Sequence, residues 1–110
     1  MAIKVVHDYD SDLDILHIYS QNISEGIKGS LSIGDFNIDI SNNNRVVGVE
    51  IEEASKILKL DPKILESPDE VQLLVRPLGN ILFIGAGVIK GKINSFVQIP
   101  TPMMRMPLMH

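Results

Sequence analysis

Isoleucine and valine recur in short runs along this chain, and within several runs apolar and polar residues alternate. The clearest case is FNIDI at residues 36–40, with its apolar residues on one side and its polar residues on the other. β-Branched residues at a two-residue period are typical of strands that bury one face. Because the links between the runs are short, we expect the strands to pair mostly antiparallel.

Five strand-like runs precede a change of period near residue 54. They are AIKVVHDY, LDILHIYS, IKGSLSI, FNIDI and VVGVEIE, with a hairpin tip predicted at Asn43–Asn44. EEASKILKL then has helical periodicity, and DPKIL supplies Asp61 as N-cap and Pro62 as first helical residue. VQLLVR, ILFIGAG and INSFVQI predict about three more strands. The prediction is an α+β fold dominated by antiparallel sheet: a meander of about five strands, a short helical link and about three further strands.

A chain of 110 residues suits one domain. We expect a single β-rich domain over residues 1–100, with the meander in residues 3–58 and the helical link and C-terminal strands in residues 59–100. Residues 101–110 contain four methionines and show no clear period, so we expect a loose tail there.

Composition restricts the class of protein. The chain has no cysteine, so disulfides and thiolate metal sites are excluded and a reducing compartment is expected. Its net charge of -4 disfavours non-specific nucleic-acid binding. The longest nearly apolar stretch, residues 81–89, is far shorter than the ~20 residues of a membrane helix, and the first ten residues do not read as a secretory signal. We expect a cytoplasmic protein without nucleic-acid or membrane contacts.

The two halves of the chain differ in charge. Residues 1–55 hold ten acidic and three basic residues, whereas residues 56–110 hold four acidic and seven basic residues. Such asymmetry can steer a basic partner to the N-terminal half, or one copy of the chain towards another. Solvated charge on two faces of one domain is the alternative.

Aspartate occupies every second position from 8 to 14, between the first two predicted strands. A calcium loop starting at Asp8 would need glycine at its sixth place and glutamate at its twelfth, where the chain has Leu13 and Tyr19. Aspartates that bond to nearby backbone amides commonly form turns. We therefore predict a tight turn, with Asp14 bonding amides at the strand start, and no metal or cofactor.

The alternative is a small metal-dependent or acid–base enzyme. Its candidate residues are His7, Asp10, Asp14, His17 and Glu50. His7 and His17 lie in strands joined by the tight link, so they could approach each other across the hairpin and bind zinc or exchange protons. Nothing in the sequence fixes their convergence, so we assign no catalytic residue.

Glycines mark two further stretches. Gly48 interrupts RVVGVEIEEAS, which indicates a bulge or a close backbone approach. In the same stretch Glu50 either stands on a sheet face or binds amides at the helix start near Ala54, and we favour the second interpretation. The glycines of FIGAGVIKG are spaced one residue too widely for a dinucleotide loop and indicate a bend or bulge.

Two of these stretches also carry a family resemblance. YDSDLDILHI, Tyr9 to Ile18, resembles the opening motif Y-D-x-x-x-D-x-L-Y-I of the prokaryotic family called domain of unknown function 2283 (DUF2283). RVVGVEIEEAS, Arg45 to Ser55, resembles its closing motif, V-V-G-I-E-I-x-x-A-S. The resemblance covers about residues 3–58. His17 stands where the family usually has tyrosine, and Asn44 takes the place of a hairpin glycine.

This resemblance implies a β-meander that closes into a short helix, and no established chemistry. It implies that the matched positions determine the fold; these are Tyr9, Asp10, Asp14, Gly48 and Glu50. Some members resemble the partner half of small toxin–antitoxin pairs, which suits an acidic binding module. We therefore expect an uncharacterised interaction module that self-associates, with a dimer favoured, and a basic or toxin-like protein as a second partner.

Overall fold

The computed structural model describes residues 2–22 and 26–102. Their elements follow in the order β1 (Ala2–Ile3), β2 (Val5–Asp10), β3 (Ile15–Ser20), β4 (Ile27–Ile33), β5 (Phe36–Ser41), β6 (Val46–Ile51), α1 (Ala54–Leu58), α2 (Pro62–Glu66), β7 (Glu70–Leu78), β8 (Ile81–Lys90) and β9 (Ile93–Pro102). The predicted class is confirmed in its main feature, since antiparallel strands dominate and two short helices separate two groups of strands.

The strands form two antiparallel sheets, a five-stranded sheet in the order β2-β3-β6-β5-β4 and a four-stranded sheet in the order β1-β7-β8-β9. The predicted five-strand meander is wrong, because β3 pairs with β6 and β4 lies at the far edge beside β5. Burial explains this order. Leu16 and Ile18 of β3 are fully buried, whereas β4 is mostly exposed and suits an edge.

The first predicted strand is divided between the two sheets. Ala2–Ile3 pairs with β7 in the four-stranded sheet, whereas Val5–Asp10 pairs with β3 in the five-stranded sheet. Lys4 lies at the crossing point. The N-terminal run therefore ties the two sheets together.

The inner faces of both sheets contribute to one hydrophobic cluster. Its fully buried members (0 % exposed) are Leu16, Ile18, Ile38, Val49, Ile51, Ala54, Leu65, Ile84, Ala86 and Val88. Burying a side chain of the size of leucine or isoleucine stabilises a fold by about 1.5–3 kcal/mol. Because the set includes both sheets and both helices, the core depends on all of them.

The two helices are short and begin differently. α1 follows Glu53, which has a left-handed φ of 52° and no side-chain cap. At the start of α2 the Asp61 side chain accepts a hydrogen bond from the Lys63 amide at 2.9 Å, with Pro62 in the first position. The predicted cap is therefore confirmed. None of the described residues lies in a helix long and apolar enough to cross a bilayer.

The C-terminal strand extends beyond its predicted end. Thr101, which is 1 % exposed, and Pro102 belong to β9, opposite Leu82 and Ile81. The prediction of a loose tail from residue 101 is therefore wrong for these two residues. The buried side chain of Leu82 on β8 lies beside Thr101 at this end of the strand. The rest of the predicted tail, residues 103–110, lies outside the described residues.

Candidate functional site

The hairpin between β2 and β3 is closed by Asp10. Its Oδ1 accepts hydrogen bonds from the backbone amides of Asp12 at 3.0 Å and Leu13 at 3.1 Å. This arrangement satisfies two amides that have no partner in the strand ladder. The predicted turn is confirmed, and an oxygen of Asp10 is occupied by the chain itself.

Asp14 joins the hairpin to the start of α1. Its Oδ1 accepts hydrogen bonds from the Tyr9 hydroxyl at 2.7 Å and the Ser55 amide at 3.0 Å, and its Oδ2 accepts one from the Ser55 hydroxyl at 2.7 Å. The backbone carbonyl of Asp14 also accepts from the Ala54 amide at 2.9 Å. We call the three residues Tyr9, Asp14 and Ser55 the clamp.

The clamp corrects two predictions. The amides that Asp14 binds lie at the helix start and not at the strand start. The favoured interpretation of Glu50, that it binds those amides, is wrong because Asp14 occupies the position and Glu50 lies on a sheet face. Asp14 has a φ of 55°, which turns its carboxylate back towards Ser55. A left-handed backbone is tolerated by aspartate at low cost.

Hydrogen bonding also shifts the acid–base behaviour of the clamp. Desolvation acts to raise the pKa of Asp14, but hydrogen bonds from Tyr9 and Ser55 outweigh it and hold this pKa below its ordinary value. Burial, together with the hydrogen bond to Asp14, raises the pKa of the Tyr9 hydroxyl above its ordinary value. The pair is therefore held as a neutral phenol donating to a carboxylate.

The outer surface of the five-stranded sheet, which we call the polar face, carries a histidine among carboxylates. Its residues include Asp8, Asp10, His17, Tyr19, Asn37, Asp39, Gly48 and Glu50. His17 lies opposite Asp8 on one neighbouring strand and opposite Glu50 on the other. Its Nε2 lies 2.7 Å from Asp39 Oδ2, with the two side chains 34 % and 22 % exposed.

Gly48 allows this histidine–aspartate contact across a strand. Tyr19, Gly48 and Asp39 occupy one row of three paired strands. A Cβ at Gly48 would lie 2.6 Å from Asp39 Oδ2, 3.1 Å from Tyr19 Cβ and 3.2 Å from the Ile18 carbonyl oxygen. The close approach predicted from this glycine is therefore confirmed.

The electrostatics of the polar face favour a charged imidazole. The hydrogen bond to Asp39 raises the pKa of His17, against the opposing effect of desolvation, and the charges of Asp39, Glu50 and Asp8 act in the same direction as the hydrogen bond. The Tyr19 ring lies against the imidazole, with 4.6 Å between ring centroids. Carboxylates on three neighbouring strands thus stabilise the imidazolium.

The structure brings together only some of the residues considered for an enzyme. His7 and His17 lie on opposite faces of the sheet, because His7 is paired with Ile18 and not with His17. Glu50 lies beside His17, whereas oxygens of Asp10 and Asp14 bind the chain itself. In residues 2–22 and 26–102 no three His, Cys, Asp or Glu residues form a group able to hold a metal ion.

Asp39 is the residue that sequence reasoning missed on this face. It was assigned only to the outward side of its strand. The signal that could have found it is Gly48, whose missing side chain leaves space for a neighbour to reach across. The row in which Gly48 lies depends on two strand pairings. The predicted meander places β5 beside β6, as observed, but it does not place β3 beside β6.

The outer surface of the four-stranded sheet differs in composition, and we call it the apolar face. Its residues include Gln72, Leu74, Arg76, Leu78, Ile81, Phe83, Gly85, Gly87, Phe96, Gln98 and Pro100. Leu78 is 59 % exposed, Ile81 39 % and Phe96 41 %. Large apolar side chains are thus grouped on one exposed surface.

Phe96 lies over the glycines of β8. A Cβ on Gly85 or Gly87 would collide with atoms of the Phe96 ring. The predicted bend or bulge at these glycines is wrong, since β8 pairs in continuous register with both neighbours. The glycines instead make room for the ring, beside a groove of about 210 Å³ that includes Leu74 and Phe83.

Comparison with known proteins confirms the resemblance for the first half of the chain. Residues 7–55 match the family described as a protein of unknown function (DUF2283). The uncharacterized protein MJ0789 of Methanocaldococcus jannaschii is 40% identical over 58 residues, which are 53% of this chain and 48% of that protein. The chain thus spans about half the length of this curated relative. No solved structure gives a significant match.

Proposed function

We propose that this chain is a small protein-interaction module that self-associates, as a dimer, through its four-stranded sheet at the surface centred on Phe96. The observation that carries the proposal is the exposure of Leu78, Ile81 and Phe96 together on the apolar face. Burying such surface is favourable by roughly 25 cal/mol per Å². Grouped apolar side chains on an exposed surface are typical of interaction sites.

The distribution of charge supports the choice of this sheet. Among the described residues whose side chains lie on the apolar face, charge occurs at Glu70 and Arg76. The polar face, in contrast, carries Asp8, Asp10 and Glu50 close together. Two copies that met through the five-stranded sheet would bring like charges together, whereas two copies that met through the four-stranded sheet would not.

The mass of the native protein in solution tests the proposal. Light scattering over a range of concentrations should give twice the chain mass of 12.2 kDa. The variant Phe96→Glu should weaken association at least about tenfold, because it introduces a charge at the centre of the surface. A mass of one chain at the highest concentration would refute self-association.

Leu13→Glu is the matched control for this variant. Leu13 is 66 % exposed, more than Phe96, but it lies in the turn of the β2–β3 hairpin on the other sheet. The same charge placed there should leave the mass unchanged. If both variants dissociate the protein equally, the interface does not lie at Phe96.

A basic or toxin-like protein is the second proposed partner, and the polar face supports it. Asp8, Asp10 and Glu50 give this face an acidic character that would steer a cationic surface towards it. An oligolysine peptide should bind the native protein in low salt and be released by salt. Asp8→Asn plus Asp10→Asn should weaken this binding more than the control Asp35→Asn, since Asp35 lies in an exposed turn.

Acid–base catalysis is the alternative function, and the contact between His17 and Asp39 is the observation that favours it. A carboxylate that orients an imidazole is a common arrangement for proton transfer. A metal-dependent version predicts a higher melting temperature of the native protein with zinc, manganese or calcium. An unchanged melting curve with all three metals would remove it. The cytoplasmic location stays a prediction.

A further inference from the structure

The outer edge of β9 is the part of the four-stranded sheet best suited to pair with another chain. β9 is ten residues long and terminates the sheet order, and no described strand pairs with its outer side. Its residues 93–102 include no charged side chain. An unpaired row of N–H and C=O groups at a sheet edge is a template for a further strand.

The other sheet edges carry charges, a register shift or a proline, which residues 94–98 of β9 lack. Helix α1 contacts β9 from the inner side of the sheet, where the Ser95 hydroxyl donates to the Leu58 carbonyl. Asp8 and Asp10 place charges along β2. β4 has a register shift between Ile27 and Gly29. β7 is partly covered by β1, and Pro77 interrupts its remaining edge. Charges, bulges and prolines each discourage pairing of an edge.

The hairpin register shows which groups of β9 point outward. Lys90 and Ile93 pair directly across the two-residue turn at Gly91 and Lys92, so they exchange backbone hydrogen bonds. Bonded and non-bonded pairs then alternate along the strand. The backbone groups of Asn94, Phe96 and Gln98 therefore point away from β8.

The prolines agree with this assignment and limit the edge. Pro100 and Pro102 belong to the same alternate set as Asn94, Phe96 and Gln98, so their missing N–H groups remove no bond to β8. On the outer side, however, a partner strand would find no donor at these two positions. The competent edge is therefore residues 94–98.

We infer that two copies of this chain pair antiparallel along β9, with Phe96 opposite its own counterpart and Asn94 opposite Gln98 of the second copy. This inference rests on the proposed self-association and specifies its geometry: the two apolar faces lie side by side in one surface and not against each other, with Phe96 at the axis and Leu78 and Ile81 away from it. In this register three pairs exchange two bonds each, about six in total, and no proline is used. If the two-fold axis passed through Gln98 instead of Phe96, Phe96 would lie opposite Pro100, which has no backbone N–H to donate. The two four-stranded sheets become one continuous sheet, and identical uncharged segments meet across the axis without repulsion.

Disulfide cross-linking tests the register, because the native chain has no cysteine. Asn94→Cys plus Gln98→Cys places two cysteines directly opposite each other across the axis, about 5.5 Å apart at Cα, within the range for a disulfide. Oxidation should give a covalent dimer in good yield. Each single variant should give little, since like positions are four residues apart, roughly 13 Å.

A proline substitution provides the second measurement. Gln98→Pro removes an outward N–H without removing a bond to β8, so the variant should keep its fold by circular dichroism and dimerise at least about tenfold more weakly. Its control is Phe83→Leu, which changes the same face away from the edge and should leave the dimer intact. Gln98→Pro that folds and dimerises like the native protein would overturn the inference.

The outcomes separate the inference from the proposed function. A doubled mass with no cross-link in the double variant would overturn edge pairing and leave self-association standing. A mass of one chain would overturn both. A doubled mass with cross-linking confined to the double variant supports both.

Discussion

The inner faces of both sheets are apolar and buried, but their outer faces differ in composition, polar on one sheet and apolar on the other. On the five-stranded sheet, the outer face is a row of charged and polar side chains in which Asp39 reaches across Gly48 to His17. On the four-stranded sheet the corresponding glycine space, at Gly85 and Gly87, is filled by the Phe96 ring. In both sheets a strand glycine thus lies under a neighbouring side chain. In one sheet it allows the contact between Asp39 and His17, and in the other it makes room for an apolar ring.

This difference follows the division between the part of the chain that matches the family and the part that we propose for self-association. The family match ends at residue 55, before β7 begins. It includes the clamp and all the residues named for the polar face. The apolar face and β9 lie outside it, so the proposed interface need not be shared with the relatives.

Removing the clamp should give the largest loss of stability. Asp14→Ala removes three hydrogen bonds to a carboxylate. It also puts alanine in a left-handed backbone conformation that aspartate adopts at lower cost. We expect a loss of about 3–4 kcal/mol in the free energy of unfolding, measured by urea denaturation. Asp12→Ala, an exposed aspartate in the same turn, should cost less than about 0.5 kcal/mol. Equal losses would mean that the clamp does not hold the hairpin to α1.

Gly48→Ala should give the second-largest loss of stability, and it should disturb the contacts of the polar face. The new methyl group would lie 3.2 Å from the Ile18 carbonyl oxygen, a backbone atom that cannot move alone. We expect a loss of about 2 kcal/mol, seen as a lower denaturation midpoint. Gly29→Ala is the control, since a Cβ there meets nothing within 4 Å. If Gly48→Ala is as stable as Gly29→Ala, the close approach is not required.

Gly85→Ala should cost less than Gly48→Ala, and this contrast compares the two sheets directly. The atoms in its way belong to the end of the Phe96 ring, which is 41 % exposed and free to swing outward. We expect a loss of about 1 kcal/mol or less. A displaced ring should also weaken self-association in light scattering. A loss as large as that of Gly48→Ala would show that the ring is held rigidly.

The pH dependence of the His17–Asp39 pair should give the smallest effect. Because the pKa of His17 is raised above its ordinary value of 6.5, this contribution to stability is fully present below that pH and lost as the pH rises through the folded-state value. The pair is partly exposed, so the change should be a few tenths of a kcal/mol, up to about 1 kcal/mol. Thermal melts from about pH 6 to about pH 9 should show it in the native protein.

Two variants make this last measurement specific. Asp39→Asn should flatten the pH dependence over that range, since it removes the charge nearest to the imidazole. His7→Gln should leave it in place, because His7 lies on the opposite face of the sheet. If the pH dependence survives Asp39→Asn and disappears in His7→Gln, it arises from His7 and not from the His17–Asp39 pair.

Local signals in the sequence determined the elements themselves. The alternation in FNIDI predicted the inner face correctly, with Ile38 at 0 % and Ile40 at 3 % exposure. Asn44 lies in the predicted turn with a φ of 61°, and α2 begins at Pro62 with the predicted cap. Periodicity, turn formation and capping depend on residues close together in the chain, and the sequence states them directly.

Tertiary structure alone decided which elements and side chains meet. The sequence did not show that β3 pairs with β6, that Asp14 and not Glu50 binds the start of α1, or that Phe96 covers two glycines. Strand order depends on how the whole chain buries its apolar faces. Register moreover flips every side chain when it shifts by one residue, as the opposite faces of His7 and His17 illustrate. Contacts between distant residues therefore fixed the surfaces on which the proposed function depends.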